Sequence, residues 1–251
     1  MEKKKVIVVG ATGRMGRIVC DLIAKSDDME VCCGLCHSYA ENRIPGITLF
    51  TKADFANFFE ADVIIDFSTP MAMGDVLPKA SRYKIPVVIA TTGISEDFVE
   101  HHSYTIPIFK SANMSVGTKR FIQIVKNAAS ILPGSYEISI HEVHHSGKAD
   151  APSGTAKMLF TAVSEARNGS LKYRFDSNDK KSENEVWVSS ERIGNFRGEH
   201  TVTICGENEY FRFTHSVQDR AVFAEGALEA ARFIMQQTEP RVYTMDDLFN
   251  E

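Results

Sequence analysis

The sequence predicts an α/β chain: a Rossmann-like dinucleotide-binding domain plus an α+β substrate/oligomerisation domain with a mixed open sheet. Three observations predict it. A continuous apolar run at residues 5–9 (KVIVV) feeds directly into a glycine-rich turn and then a helical pattern. Strand and helix patterns alternate through the first 114 residues, as a parallel sheet requires. Beyond residue 135, period-two strands follow one another with few helices between them, which implies a mixed or antiparallel sheet.

The elements can be justified in order. The run at 5–9 shows no alternation, as expected of a strand buried on both faces. Gly10, Ala11, Thr12, Gly13, Arg14, Met15 and Gly16 follow it. Gly10 permits the tight turn, Gly13 lets the backbone approach a pyrophosphate, and Gly16 lets the helix pack close to the strand. Residues 17–25 place Ile18, Cys20, Leu22 and Ile23 at helical spacing, and a second strand spans 30–36. Folds that use NAD often end this strand in an acidic residue that holds the ribose. Here the chain reads Gly34-Leu35-Cys36-His37-Ser38, with no carboxylate before Glu41. His37 and Ser38, helped by Arg14, suit a 2′-phosphate, so the expectation leans to NADPH and leaves NADH open.

Strands at 62–67, 86–90 and 106–110 alternate with helices at 71–83 and 94–102. Each strand ends in small or polar residues, and ligands of open parallel sheets bind outside those ends. Ala90, Thr91 and Thr92, with Ser111, Ala112, Asn113 and Met114, are therefore candidates to line the nicotinamide half of the site. The helix at 116–132 carries a wide apolar stripe that includes Phe121, Ile124, Val125, Ala129 and Ile131. Strands follow at 136–143, 186–193, 200–205 and 210–216, with a helix at 156–167 and a polar loop at 177–185. A last helix at 219–236 returns to the first domain. The expected domains are thus 1–114 with 219–251, for the dinucleotide, and 115–218, for substrate and oligomerisation.

The densest chemistry lies in HEVHHSGKADAPSGTA, residues 141–156. Three histidines, a glutamate and a lysine occupy eight residues where a strand gives way to a helix. Ser153 and Thr155 are capping residues, and a helix start offers unpaired N–H groups and partial positive charge. With His144, His145 and Lys148 added, the segment suits a carboxylate and can carry protons. No metal is expected, because HEVHH at 141–145 reads as strand and loop, so His141 and His145 do not share a helix. Hydrophobic content of 43% is ordinary for a globular chain, and a net charge of −5 argues against a nucleic-acid partner. No stretch approaches a membrane span, and five cysteines, an odd number, fit a reducing cytoplasm. Cys33 and Cys36 form a CxxC inside a strand-like run with no second pair, which reads as structural.

GATGRMG at 10–16, DFSTP at 66–70, ATTG at 90–93, SANMSVG at 111–117 and EVHHSGKADAPSGTA at 142–156 resemble one family, joined by RGEHTV at 197–202 and RAVFAEGAL at 220–228. That family is 4-hydroxy-tetrahydrodipicolinate reductase, long called dihydrodipicolinate reductase, of bacterial lysine and diaminopimelate synthesis. The resemblance implies NAD(P)H-dependent reduction of a small cyclic imine that carries two carboxylates. It implies that His144 is the acid/base and Lys148 a proton donor. It places the carboxylates on His145, Lys148, Ser153, Gly154 and Thr155, and the cofactor on Gly10 through Met15, with Thr91, Thr92 and residues 111–114 beside the nicotinamide. It further implies a homotetramer with sheets joined across subunits. Cys36 and His37 replace an acidic-then-basic pair found in some members, and Ala90 stands where a glycine is common.

Overall fold

A computed structural model of the chain describes residues 2–37, 44–51, 60–175, 182 and 184–249. Ser38, Glu41 and most of the polar loop at 177–185 lie outside the described residues. The chain forms two compact units: residues 1–115 with 221–251, and residues 116–220.

In the first unit, β1 (Lys4–Val9), β2 (Met29–Leu35), β3 (Leu49–Phe50), β4 (Val63–Asp66), β5 (Val87–Ile89), β6 (Ile108–Lys110) and β12 (Val242–Tyr243) make a seven-stranded sheet. Its order is β12-β6-β5-β4-β1-β2-β3, and every pair is parallel. The order reverses between β1 and β4, the switch point at which doubly wound sheets bind ligands. Helices α1 (Arg14–Ala24), α2 (Pro70–Tyr83), α3 (Glu96–Ser103), α6 (Ala221–Ile234) and the short α7 (Met245–Leu248) accompany it. Two buried clusters account for the unbroken apolar strands. Val6 and Val8 join Ala224, Ala227 and Ala231 of α6 in one, while Ile7 and Val9 join Met73 and Leu77 of α2 in the other. Thr69 caps α2 by accepting the Ala72 N–H at 3.3 Å, and Pro70 fills the first helical position.

In the second unit, β7 (Glu137–His144), β8 (Lys172–Phe175), β9 (Glu185–Arg192), β10 (Glu199–Cys205) and β11 (Tyr210–Ser216) form the mixed sheet, ordered β11-β10-β7-β9-β8. β7 is antiparallel to β10 and parallel to β9. The helices α4 (Val116–Ile131) and α5 (Gly154–Ala166) bury Phe121, Val125, Leu159 and Val163 against Ile138, Ile140 and Val202. The α4 stripe is narrower than its composition predicts. Ile124 is 55% and Ile131 82% exposed, because both fall off the face that meets the sheet. Among the described residues, no helix is long and apolar enough to cross a membrane.

Candidate active site

β7 reaches its centre with alternating burial, so Glu142 and His144, two residues apart, share the face that looks toward α5. Register then selects their neighbours. Glu142 stands opposite Ser190 on β9 and His200 on β10, and His144 stands opposite Arg192. Glu142 is fully buried. Its Oε1 accepts from the Ser153 N–H at 2.9 Å, the Ser190 hydroxyl at 2.6 Å and the Arg192 guanidinium at 3.0 Å. Its Oε2 faces two imidazoles, His144 Nδ1 at 3.3 Å and His200 Nε2 at 3.5 Å. One carboxylate thus ties three strands to the start of α5.

Burial opposes ionisation of Glu142, but His144, His200, Ser153 and Ser190 outweigh it and hold the carboxyl well below the usual carboxylate range. A depressed folded value means that this group stabilises the fold above its ordinary pKa of about 4.3, and that the contribution is lost as pH falls below that. His200 is buried, and that desolvation pushes its imidazole down, against the pull of Glu142. Glu142, His144 and His200 also place ligand-type atoms within 4.8 Å of one another, a grouping that the expectation of no metal did not foresee.

Ser153 is the N-cap of α5. Its Oγ accepts the Ala156 N–H at 3.1 Å and lies 3.1 Å from His200 Nε2. Its side chain is therefore occupied and buried, whereas Gly154 at the helix start has open space beside its Cα. Thr155 is buried within the first turn. His145 N–H donates to the Phe196 carbonyl at 2.8 Å, and Lys148 N–H closes a turn onto the His145 carbonyl at 3.0 Å. The Lys148 ammonium holds Asp150 at 2.7 Å, and this pairing draws the Asp150 carboxyl down. Of the predicted residues, His144 and Ser153 meet at the Glu142 hub, and His145 and Lys148 lie on the loop just beyond it.

Sequence reasoning assigned no role to Glu142, Ser190, Arg192, Gly198 or His200. Gly198 has φ +143°, and a Cβ there would sit 3.1 Å from His144 Nε2. The missing side chain keeps that nitrogen open. Gly198→Ala is expected to cut turnover at least about tenfold, through backbone strain and crowding of the ring. Steady-state kinetics beside a circular-dichroism melt would check this, and an unchanged kcat would refute the spatial reading.

The first unit carries the second set of candidates. Gly10 has φ +78°, and a Cβ there would lie 2.9 Å from the Phe67 carbonyl carbon. Gly16 backs onto the same turn, where a Cβ would come within 2.7 Å of Ala11 Cα. Gly13 caps α1 with no side-chain bond, which leaves the helix start bare. These positions form a cradle that only glycine permits, and they fit a pyrophosphate at a helix N-terminus. Arg14 is exposed at the head of α1, Thr12 accepts from Arg17 at 3.2 Å, and Met15 packs on the core. His37 is exposed just past β2. Ala11 and Met114 turn their side chains into the core, so only their backbones face outward chemistry. Ala90 follows β5 and donates its N–H to Asp66, Thr91 is buried, and Thr92 and Ala112 are exposed. Ser111 and Asn113 brace one another, Ser111 Oγ donating to the Asn113 carbonyl at 2.7 Å. Gly10→Ala is expected to abolish NADPH binding in a fluorescence titration. Retained affinity would remove the cradle from consideration.

A parallel sheet of this order with a glycine cradle at its switch point is the architecture of nicotinamide-dependent oxidoreductases, and the Glu142 cluster lies on the other unit. Residues 4–114 match the family profile "Dihydrodipicolinate reductase, N-terminus" and residues 117–249 match "Dihydrodipicolinate reductase, C-terminus". The chain belongs to the dihydrodipicolinate reductase family. It is 41% identical, over 97% of both chains, to the 4-hydroxy-tetrahydrodipicolinate reductase of Caldanaerobacter subterraneus subsp. tengcongensis. It is 33% identical, over 97% of both, to that of Clostridium botulinum. Among solved structures, dipicolinate-bound dihydrodipicolinate reductase from Paenisporosarcina sp. TG-14 superposes with a TM-score of 0.77 at 20% identity, covering 98% of this chain and 99% of that one. An engineered D-amino acid dehydrogenase bound to NADP+ shares the fold at a TM-score of 0.54 and 15% identity, covering 100% of this chain and 99% of that one.

Proposed function

We propose that this chain reduces 4-hydroxy-tetrahydrodipicolinate to tetrahydrodipicolinate with NADPH or NADH, in diaminopimelate and lysine synthesis, with His144 as proton carrier and Lys148 beside it. The observation that carries the assignment of roles is the Glu142–His144 pair. A carboxylate 3.3 Å from Nδ1 favours a proton on that nitrogen, which leaves Nε2, on the Gly198 side, for exchange with substrate. Lys148, His145, Gly154 and Thr155, at and before the start of α5, are the groups for the substrate's two carboxylates, and Ser153 serves them by capping that helix. When bound, the cofactor supplies hydride. The chain's own task is to hold the dicarboxylate, stabilise the charge that develops and return a proton.

The direct test follows absorbance at the nicotinamide band with freshly generated substrate, in parallel with NADH and NADPH. Oxidation of neither would sink the reading. The absence of a carboxylate in Leu35-Cys36-His37 favours the faster rate with NADPH. The proposal extends to a cytoplasmic homotetramer. The five cysteines are all free, and β11, an edge strand, exposes Tyr210 and Phe211. Light scattering after gel filtration would read the subunit number.

A further inference from the structure

Asp66 ends β4 at the switch point of the parallel sheet, and its side chain is fully buried. Its Oδ1 accepts from the Ser68 N–H at 3.0 Å and from the Ser68 hydroxyl. The same Ser68 N–H reaches Thr91 Oγ1 at 2.8 Å. Its Oδ2 has no hydrogen-bond partner. The backbone binds the same ends together: the Asp66 carbonyl accepts from the Ala90 N–H at 3.0 Å, and Asp66 pairs with Val9 on β1 and Ile89 on β5. The next residue, Phe67, supplies the carbonyl that walls in Gly10. A single carboxylate therefore underlies the turn after β1 and the loops after β4 and β5.

Stability alone gives no reason for an acid here. Burial pushes its pKa up to about 6, partly offset by Ser68 and Thr91. A raised folded value means that folding favours the neutral acid, so ionised Asp66 subtracts stability as pH rises through that value. A half-satisfied buried carboxylate kept at the ligand edge of a dinucleotide fold signals use rather than packing.

We propose that Asp66 is a positioning residue for the dinucleotide: its carboxylate fixes Ser68, whose N–H in turn holds the Thr91 hydroxyl, and through them the two loops on which the cofactor rests. This rests on the reductase reading of the glycine cradle. The test compares the full chain with Asp66→Ala, Asp66→Asn and Thr91→Val. NADPH affinity is read by fluorescence titration, and affinity for pyridine-2,6-dicarboxylate by calorimetry, both without turnover. Loss of a charge-assisted bond in Asp66→Ala should weaken NADPH about tenfold or more. Asp66→Asn, which keeps an oxygen for Ser68, should return affinity to within about threefold, and Thr91→Val should lose about threefold to tenfold. Dicarboxylate affinity should stay constant throughout. Unchanged NADPH affinity in Asp66→Ala, or failure of asparagine to rescue it, overturns the inference. So does an equal loss for both ligands. If the alanine variant does not fold, Thr91→Val decides: wild-type NADPH affinity there overturns the proposal. A wild-type chain that binds no NADPH would instead overturn the reductase reading.

Discussion

His144→Gln is expected to lower kcat by about 10²–10⁴-fold, the range that a positioned general acid contributes. NADPH affinity should stay unchanged, because Gly10, Gly13 and Gly16 belong to the other unit. Glutamine preserves much of the volume, so the fold should hold. Lys148→Ala should reduce turnover and also raise the KM for the imine, since its ammonium would act on carboxylates as well as on developing charge. The pair is informative together. If His144→Gln raised only KM and left kcat intact, the imidazole would be a binding group, and proton delivery would pass to another residue. Rapid-mixing measurement of hydride transfer in both variants would separate the two cases.

Glu142→Ala is the substitution expected to cost most in stability. Removing one partner of a buried ion pair costs about 3–5 kcal/mol, because the other charge is left uncompensated. Here Arg192 would keep its guanidinium close to two imidazoles with no carboxylate between them, and Ser153 N–H would lose its acceptor at the head of α5. At roughly 2–4 °C per kcal/mol for a chain of this size, the melting temperature should fall by about 6–20 °C. Calorimetry should show the loss confined to one of two transitions if the units melt separately. Glu142→Gln keeps an oxygen for Ser153, Ser190 and Arg192 but turns an amide toward His144 and His200. It should therefore retain most of the stability and lose most of the rate. A Glu142→Ala variant that melted like wild type would show that the hub contributes nothing to the fold.

The parallel sheet was legible in the sequence because its strands are short unbroken apolar runs, and only burial on both faces permits that. β3 and β12, two residues each, were not legible, since no periodicity can be read from so few positions. β8 escaped because KYRF, though alternating, is only four residues long, too short for the pattern to stand out. On α4, composition alone suggested a stripe broad enough to include Ile124 and Ile131, but only the contact face with the sheet decides which apolar residues go in. At the candidate site, the string from His144 to Thr155 was legible because its residues are neighbours in the chain. Ser190, Arg192 and His200 were not, because they come 48 to 58 positions after Glu142 and only strand register brings them there. One signal was available. Glu142 and His144 sit on the inward face of an alternating strand, and a carboxylate so placed must find a cation and several donors.

The return of the chain to its first unit bears on how the protein is made. α6 fills the cluster around Val6, Val8 and Phe109, and β12 completes the sheet beside β6. A nascent chain on the ribosome therefore cannot finish its first unit until residues 221–251 have left the exit tunnel. The inserted unit, contiguous at 116–220, is ready to fold sooner. Synthesis order is thus inverted, and a chain cut short before residue 221 would lack the helix and strand that its first-made sheet needs.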